Sequence, residues 1–298
     1  MFTIYSTEKN KEASYSLAEK LNFKVEIANI DNFNCKEKLL YLNTEQIEEK
    51  AIIIHELWPC PEQKIIELLL LLDLLESKGL KSATLVVPYI PYLRQDRELK
   101  NNAAIASRML FRLFDHTAIS KIMSIDCHSE KAISYCRKEF INLSPASFFA
   151  QILRKKITDF TNTIIISPDE GSSQRAENLA NLLKTPYQAL SKSRNSDKIE
   201  ITGFNSDKKY QNIIIIDDIL DTGNTIKSTI EALNNNYEKL TICITHLLNE
   251  NSLNSIKMIN DKIAFITTNS TNYLDMNIYE NIWQIFNDNF LYMNKKSY

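Results

Sequence analysis

Short apolar runs alternate along the chain with longer stretches in which apolar residues recur every three or four positions. Ala51 to Ile54 precedes Glu62 to Lys78, Thr84 to Val87 precedes Ala103 to Phe114, and Ile122 to Ile125 precedes a polar loop. The second half keeps the rhythm. Ile164 to Ile166 precedes Gln174 to Leu183, Ile213 to Ile216 precedes Ile226 to Leu233, and Leu240 to Thr245 precedes Ser252 to Ile259. The short runs have the length of strands and the longer ones the period of amphipathic helices, so the pattern predicts α/β layers. Ile213 to Ile216 are consecutive isoleucines, which predicts a strand covered on both faces of a parallel sheet. Each half also sets acidic or histidine residues just after a strand, in Ile125-Asp-Cys-His128 and Ile216-Asp-Asp218. That repetition predicts two related domains, residues 1–145 and 146–298, meeting near Asn142 to Ser147. The last segment, from about Asn277, is expected to return and pack on the first domain.

A length of 298 residues accommodates two cores, and a hydrophobic content of 44% excludes a disordered chain. The net charge of -2, from 35 basic and 37 acidic residues, provides no overall field for nucleic acid or an anionic membrane. Any anion must therefore be gathered locally. The most apolar run, Ile65 to Leu75, is too short for a bilayer and contains Glu67 and Asp73, while the N-terminus is polar and lacks a signal-peptide core. A soluble, cytoplasmic protein is expected. Its 5 cysteines are scattered without a C-x-x-C pair, which argues against a zinc site or a disulfide framework.

Only 4 glycines occur in the chain, and two of them follow strand-like runs: Gly171 in Ser167-Pro-Asp-Glu-Gly171, and Gly223 in Asp217-Asp-Ile-Leu-Asp-Thr-Gly-Asn-Thr225. Asp221, Thr222, Gly223, Asn224 and Thr225 lie between a strand and a helix. There, backbone N–H groups and the positive end of the helix dipole suit a phosphate, and open α/β sheets bind ligands at this edge. Asp217 and Asp218 stand where the strand would end. Adjacent strand residues point to opposite faces, so both carboxylates reach one ligand only if the strand has already ended at Asp217; otherwise one of them is structural. Taken alone, the pair also fits a solvated strand cap.

The ordered set of motifs resembles the ribose-phosphate pyrophosphokinases over nearly the whole chain. Pro88-Tyr-Ile-Pro-Tyr-Leu-Arg-Gln-Asp-Arg97 is similar to that family's P-Y-x-x-Y-x-R-Q-D-R, and Ile125-Asp-Cys-His128 to V-D-L-H. Ser167 to Gly171 resembles S-P-D-x-G, Lys192-Ser-Arg194 the catalytic K-R-R, Asp217 to Thr225 the run D-D-x-x-D-T-G-G-T, and Thr245-His246 a T-H pair. The resemblance implies two phosphoribosyltransferase-like domains, each a mainly parallel sheet flanked by helices, the first on the ATP side and the second on the ribose 5-phosphate side. It implies transfer of a diphosphoryl group from ATP to the anomeric hydroxyl of ribose 5-phosphate, with Mg2+, in a homo-oligomer (dimer or hexamer) whose neighbouring subunit completes the nucleotide pocket.

By the same resemblance Lys192 and Arg194 are catalytic, and Phe33, Glu37, Arg94, Gln95, Asp96 and His128 bind ATP. Asp217, Asp218 and the turn Asp221 to Thr225 bind ribose 5-phosphate, and His128 and Asp169 lie near the metal. The segment Ser191 to Lys198 has no apolar period and reads as a mobile loop that closes over the transferring group. The chain departs from the family pattern at Cys35 and Lys36, which replace the aspartate and glycine of F-[SN]-D-G-E in Phe33 to Glu37. It departs also at Ser172 and Asn224, which replace glycines, and at Asn249-Glu-Asn251, which replaces F-S-G. Two other functions compete: a catalytically weak regulatory paralogue that binds ribose 5-phosphate or nucleotide, and a phosphoribosyltransferase. The extra N-terminal domain and the Lys-x-Arg segment disfavour the latter.

Overall fold

The computed structural model describes residues 2–195, 198–204, 208–260, 262–271 and 279–295; within 192–195, 198–200, 279–280 and 291–295 the description is of backbone alone. The chain divides into two compact units, Met1–Leu143 with Trp283–Tyr298, and Ser144–Ile282.

The first unit contains β1 (Thr3–Thr7), α1 (Lys11–Leu21), β2 (Lys24–Asn32), β3 (Lys38–Tyr41), β4 (Lys50–Ile54), α2 (Pro61–Ser77), β5 (Ser82–Val86), α3 (Ala106–Asp115), β6 (Ile119–Ile125), α4 (Glu130–Ile133) and β7 (Glu139–Leu143). Its seven-stranded sheet has the order β3-β2-β1-β4-β5-β6-β7. Every pairing is parallel except that of the edge strand β3 with β2. The connection from β1 to β2 runs one way along the sheet and those from β4 to β5 and β5 to β6 run the other. Right-handed crossovers therefore put α1 on one face and α2 and α3 on the opposite face. Alternation along β4 serves both: Ile53 joins Leu68, Leu71 and Leu72 of α2 and Phe111 and Phe114 of α3, while the buried Ile52 and Ile54 turn to the other face.

The second unit contains α5 (Ala146–Lys156), β8 (Thr163–Ser167), α6 (Ser173–Leu183), β9 (Tyr187–Ala189), β10 (Ser191–Asn195), β11 (Lys198–Thr202), β12 (Tyr210–Leu220), α7 (Asn224–Ala232), β13 (Tyr237–Leu247), α8 (Glu250–Lys257), β14 (Ile263–Thr268) and β15 (Tyr279–Glu280). Helix α9 (Trp283–Lys295) then belongs to the first unit. The six-stranded sheet has the order β15-β14-β13-β12-β8-β9 and is parallel throughout. Ile213 to Ile216 are fully buried, as expected of a central strand with helices on both faces. From β8 the chain moves towards one edge, and from β12 towards the other. The boundary between β8 and β12 is thus the point where strand order reverses, the usual ligand crevice of such sheets.

Two local expectations are corrected. Strand β12 does not end at Asp217 but continues to Leu220, paired through Asp217↔Ile244 and Ile219↔His246 with β13. In the segment expected as a loop, Ser191–Asn195 pairs with Lys198–Thr202 in an antiparallel two-stranded ribbon, Lys192 opposite Ile201 and Arg194 opposite Ile199. The apolar alternation that supports this ribbon resides in the partner strand, where Ile201 is buried in the core; β10 itself has no apolar period to reveal it. No helix among the described residues is long and apolar enough to cross a membrane.

Candidate active site

The registers from Asn212↔Thr163 to Ile215↔Ile166 make β8 and β12 neighbours, so the segments beyond their paired stretch carry Asp169 and Asp217 to the same sheet edge. The turn after β8 is held by its own side chains. Ser167 Oγ donates to the Asp169 carbonyl at 2.7 Å, and Asp169 Oδ1 accepts from both the N–H and the Oγ of Ser172, at 3.1 and 2.9 Å. Ser172, standing where the family has glycine, is buried and fixes the orientation of the Asp169 carboxylate.

β12 continues through the Asp-Asp pair, yet the two carboxyls still interact with each other and with the same guanidinium. Asp218 is buried and ion-paired with Arg175 of α6, Nη2 to Oδ2 at 3.2 Å. Asp217 Oδ1 accepts the Asp218 N–H at 3.0 Å. Burial pushes the Asp217 carboxyl well above the usual carboxylate range; the charges of Asp218 and Asp169 push it the same way, against the pull of the Arg175 guanidinium. Asp217 thus feels two neighbouring carboxylates and one guanidinium, a balance of charge that a divalent cation would ease. The sequence reading missed Arg175. Its signal was a lone arginine one position before the buried Ala176, in the first turn of an amphipathic helix opened by the Asp169 turn.

Beyond β12, Asp221 to Thr225 wrap into the start of α7. Gly223 is the N-cap at φ 79° and ψ -2°, with no side-chain cap. A Cβ there would lie 3.2 Å from Ile256 Cδ1 and 3.4 Å from Ser252 Cβ, so both the conformation and the close approach of α8 require glycine. The start of α7, at the positive end of the helix dipole, suits an anion. Thr222 and Asn224 are exposed beside it.

In the first unit, the loop from Pro88 follows β5 and the segment from Asp126 follows β6, a neighbouring strand. Asp126 at φ 48° turns the chain sharply, its N–H bonded to the Leu143 carbonyl at 3.0 Å, and His128 emerges exposed. Ser129 Oγ donates to Asp96 Oδ2 at 2.6 Å and Tyr135 Oη to the Asp96 carbonyl at 3.1 Å, so Asp96 ties the Arg94–Arg97 stretch to the segment carrying His128. The Gln95 carbonyl accepts from the N–H and Oγ of Ser107 at 3.3 and 3.0 Å, while Arg94 is exposed. Tyr92, at φ 67°, donates its hydroxyl to Glu62 of α2. Phe33 and Glu37 are exposed in the turn between β2 and β3. That turn and the Pro88 loop leave the sheet three strand spacings apart, about 15 Å. Among the described residues no three His, Cys, Asp or Glu side chains form a cage for a metal. The side chains of Lys192 and Arg194 lie outside the described residues; strand alternation puts both positions on one face of the ribbon.

The family model for the N-terminal domain of ribose phosphate pyrophosphokinase matches residues 2–117, and that for the phosphoribosyl transferase domain matches residues 145–280. The ribose-phosphate pyrophosphokinase of Thermococcus kodakarensis is 30% identical over 224 residues, 74% of this chain and 78% of its own. The chain belongs to the ribose-phosphate pyrophosphokinase family. The ribose-phosphate pyrophosphokinase of Pyrococcus furiosus is 27% identical over 85% of this chain and 90% of its own, and that of Bacillus cereus 26% identical over 90% and 84%. Among solved structures, the phosphoribosylpyrophosphate synthetase from Mycobacterium smegmatis superposes with a TM-score of 0.85 over 99% of each chain at 20% identity, a shared fold.

Within the pyrophosphokinase family pattern, the altered hairpin still closes. Phe33 N–H bonds the Glu37 carbonyl at 2.9 Å and Lys36 N–H the Phe33 carbonyl at 2.8 Å. Lys36 takes the glycine position at φ 72°, where a side chain costs about 1 kcal/mol. The hairpin therefore retains its shape and changes its chemistry.

Proposed function

We propose that the chain forms phosphoribosyl pyrophosphate and AMP from ATP and ribose 5-phosphate, as a magnesium-dependent ribose-phosphate diphosphokinase. The observation that carries this is the convergence of Asp169, Asp217 and the Asp221–Thr225 turn on the strand-reversal edge of the second unit, in a chain of this family. The turn binds the 5-phosphate through backbone N–H groups and the Thr222 and Thr225 hydroxyls. Asp217 accepts hydrogen bonds from the ribose hydroxyls; Asp218, committed to Arg175, holds it in place. The sugar's C1 hydroxyl oxygen then bonds the β-phosphorus of ATP as the bond from that phosphorus to the α,β-bridging oxygen breaks, releasing AMP, and the hydroxyl proton passes to water.

Approach of two anions costs on the order of 4 kcal/mol per pair of unit charges at ~4 Å near a protein surface, and cations must offset it. Magnesium would supply that neutralisation and needs few protein ligands; Asp169 and His128 are the residues that would hold it. Lys192 and Arg194 stabilise the charge on the diphosphoryl group in flight. Arg94, Gln95 and Asp96 serve ATP from the loop after β5. Phe33 and Glu37 complete the adenine pocket of a second copy, a reading supported by the three strand spacings between hairpin and loop, so the active form is a homo-oligomer, a dimer or hexamer. The five free cysteines fit work in the cytoplasm.

The test is to supply purified protein with magnesium, ribose 5-phosphate and ATP, and then with other nucleoside triphosphates. AMP and phosphoribosyl pyrophosphate are expected in equal amounts. Binding of ribose 5-phosphate without nucleoside monophosphate formation from any donor would replace this reading with the regulatory one, towards which the Cys35 and Lys36 substitutions point.

A further inference from the structure

The Asp221–Thr225 turn has a back as well as an open side, and the back is α8. Asn249, in the stretch that departs from the family's F-S-G, caps this helix: its Oδ1 accepts the Asn251 N–H at 3.0 Å. The approach to the helix is pinned by Leu248 N–H on the Leu220 carbonyl at 2.8 Å. The first two turns of α8 then present Ser252 and Ile256, both buried, to the turn. Ile256 and the Ser252 Cβ occupy the space beside Gly223. The Ser252 hydroxyl donates to the backbone carbonyl of Asp221, 31 positions earlier in the chain.

We propose that Ser252 is a positioning residue for the sugar phosphate, acting through the Asp221–Thr222 peptide. In a trans peptide the carbonyl and the following N–H point in opposite directions. Holding the Asp221 oxygen on α8 therefore aims the Thr222 N–H away from α8, towards the side on which Thr222 and Asn224 are exposed. The same hydrogen bond keeps a carbonyl oxygen, which would repel an anion, out of the cradle. Without it the 221–222 peptide is free to rotate, and a bound phosphate must pay for ordering it. No sequence motif marks Ser252, because its partner is a main-chain atom on another element.

This inference rests on the reading of the turn as the 5-phosphate site. The experiment is calorimetric titration of ribose 5-phosphate into the intact protein and its Ser252→Ala and Ser252→Cys variants, with steady-state kinetics on the same preparations. Cysteine keeps the volume and offers only a weak donor. Both variants are expected to melt as cooperatively as the parent and to bind ribose 5-phosphate about fivefold to tenfold more weakly, the equivalent of one hydrogen bond. KM for ribose 5-phosphate should rise in step, with kcat at saturation and KM for ATP held within about twofold. Unchanged affinity in both variants overturns the inference while leaving the function intact. So does a loss with alanine that cysteine restores, since volume would then be the cause. Failure of the parent protein to bind ribose 5-phosphate overturns the functional reading and this inference with it.

Discussion

Ionising Asp217 opposes burial and the charges of two neighbouring carboxylates, and Arg175 compensates only in part. The sign of its linkage to folding follows. A carboxyl whose pKa is raised in the folded state binds its proton more tightly there, so its contribution to stability is full below the ordinary carboxylate value and is lost as pH rises through the raised one. Asp217→Asn removes this penalty. Its thermal midpoint at pH 7.5 is expected to lie several degrees above that of the parent, with the gap closing as pH falls towards 4. Binding of ribose 5-phosphate should fall by about 10- to 100-fold, since a charged acceptor of sugar hydroxyls is gone. A midpoint difference independent of pH would contradict the assignment of the penalty to this carboxylate. The acidic pair was legible in the sequence as a candidate site, yet the division of labour within it was not: that depends on β12 running three residues past Asp217 to Leu220 and on an ion pair to a residue 43 positions away.

At the scale of elements, legibility followed the location of the signal. Strands β4, β5, β6, β8, β12 and β13 each include an apolar run, because a strand buried on both faces must be apolar at every position. Edge strands are different. The burial of β3 alternates weakly, and β10 has a polar sequence whose support comes from Ile201 on its partner, so neither announced itself. The conformation of the Asp221–Thr225 turn, by contrast, is specified locally by Gly223 and the start of α7, and was readable within a few residues. Turn and ribbon are given different tasks here, and kinetics separates them. Lys192→Ala is expected to lower kcat by about 100-fold or more with little change in ribose 5-phosphate affinity, as for a group that acts on charge developing in the transition state. Asp221→Ala should chiefly weaken ribose 5-phosphate binding. Equal effects of the two variants on the sugar's dissociation constant would remove the distinction.

For the whole molecule, the return of α9 to the first unit is the feature with the widest reach. Trp283, Ile285, Phe286 and Phe290 are all buried, α9 packs on α1, and Asn287 Nδ2 donates to Ser16 Oγ at 3.3 Å. Burial of four large apolar side chains contributes about 6–12 kcal/mol, comparable with the ~5–15 kcal/mol that separates folded from unfolded domains. A chain ending at Ile282 is therefore expected to lose the first unit's calorimetric transition and its amide protection while keeping those of the second; retention of both transitions would show α9 to be dispensable. The arrangement also imposes an order in time. Ser144 to Ile282 leaves the ribosome before the first unit receives α9, so the half of the protein synthesised first cannot be completed until the second has been made. Until then the surface of α1 that α9 will cover stands open to other chains, and termination before Trp283 leaves it so.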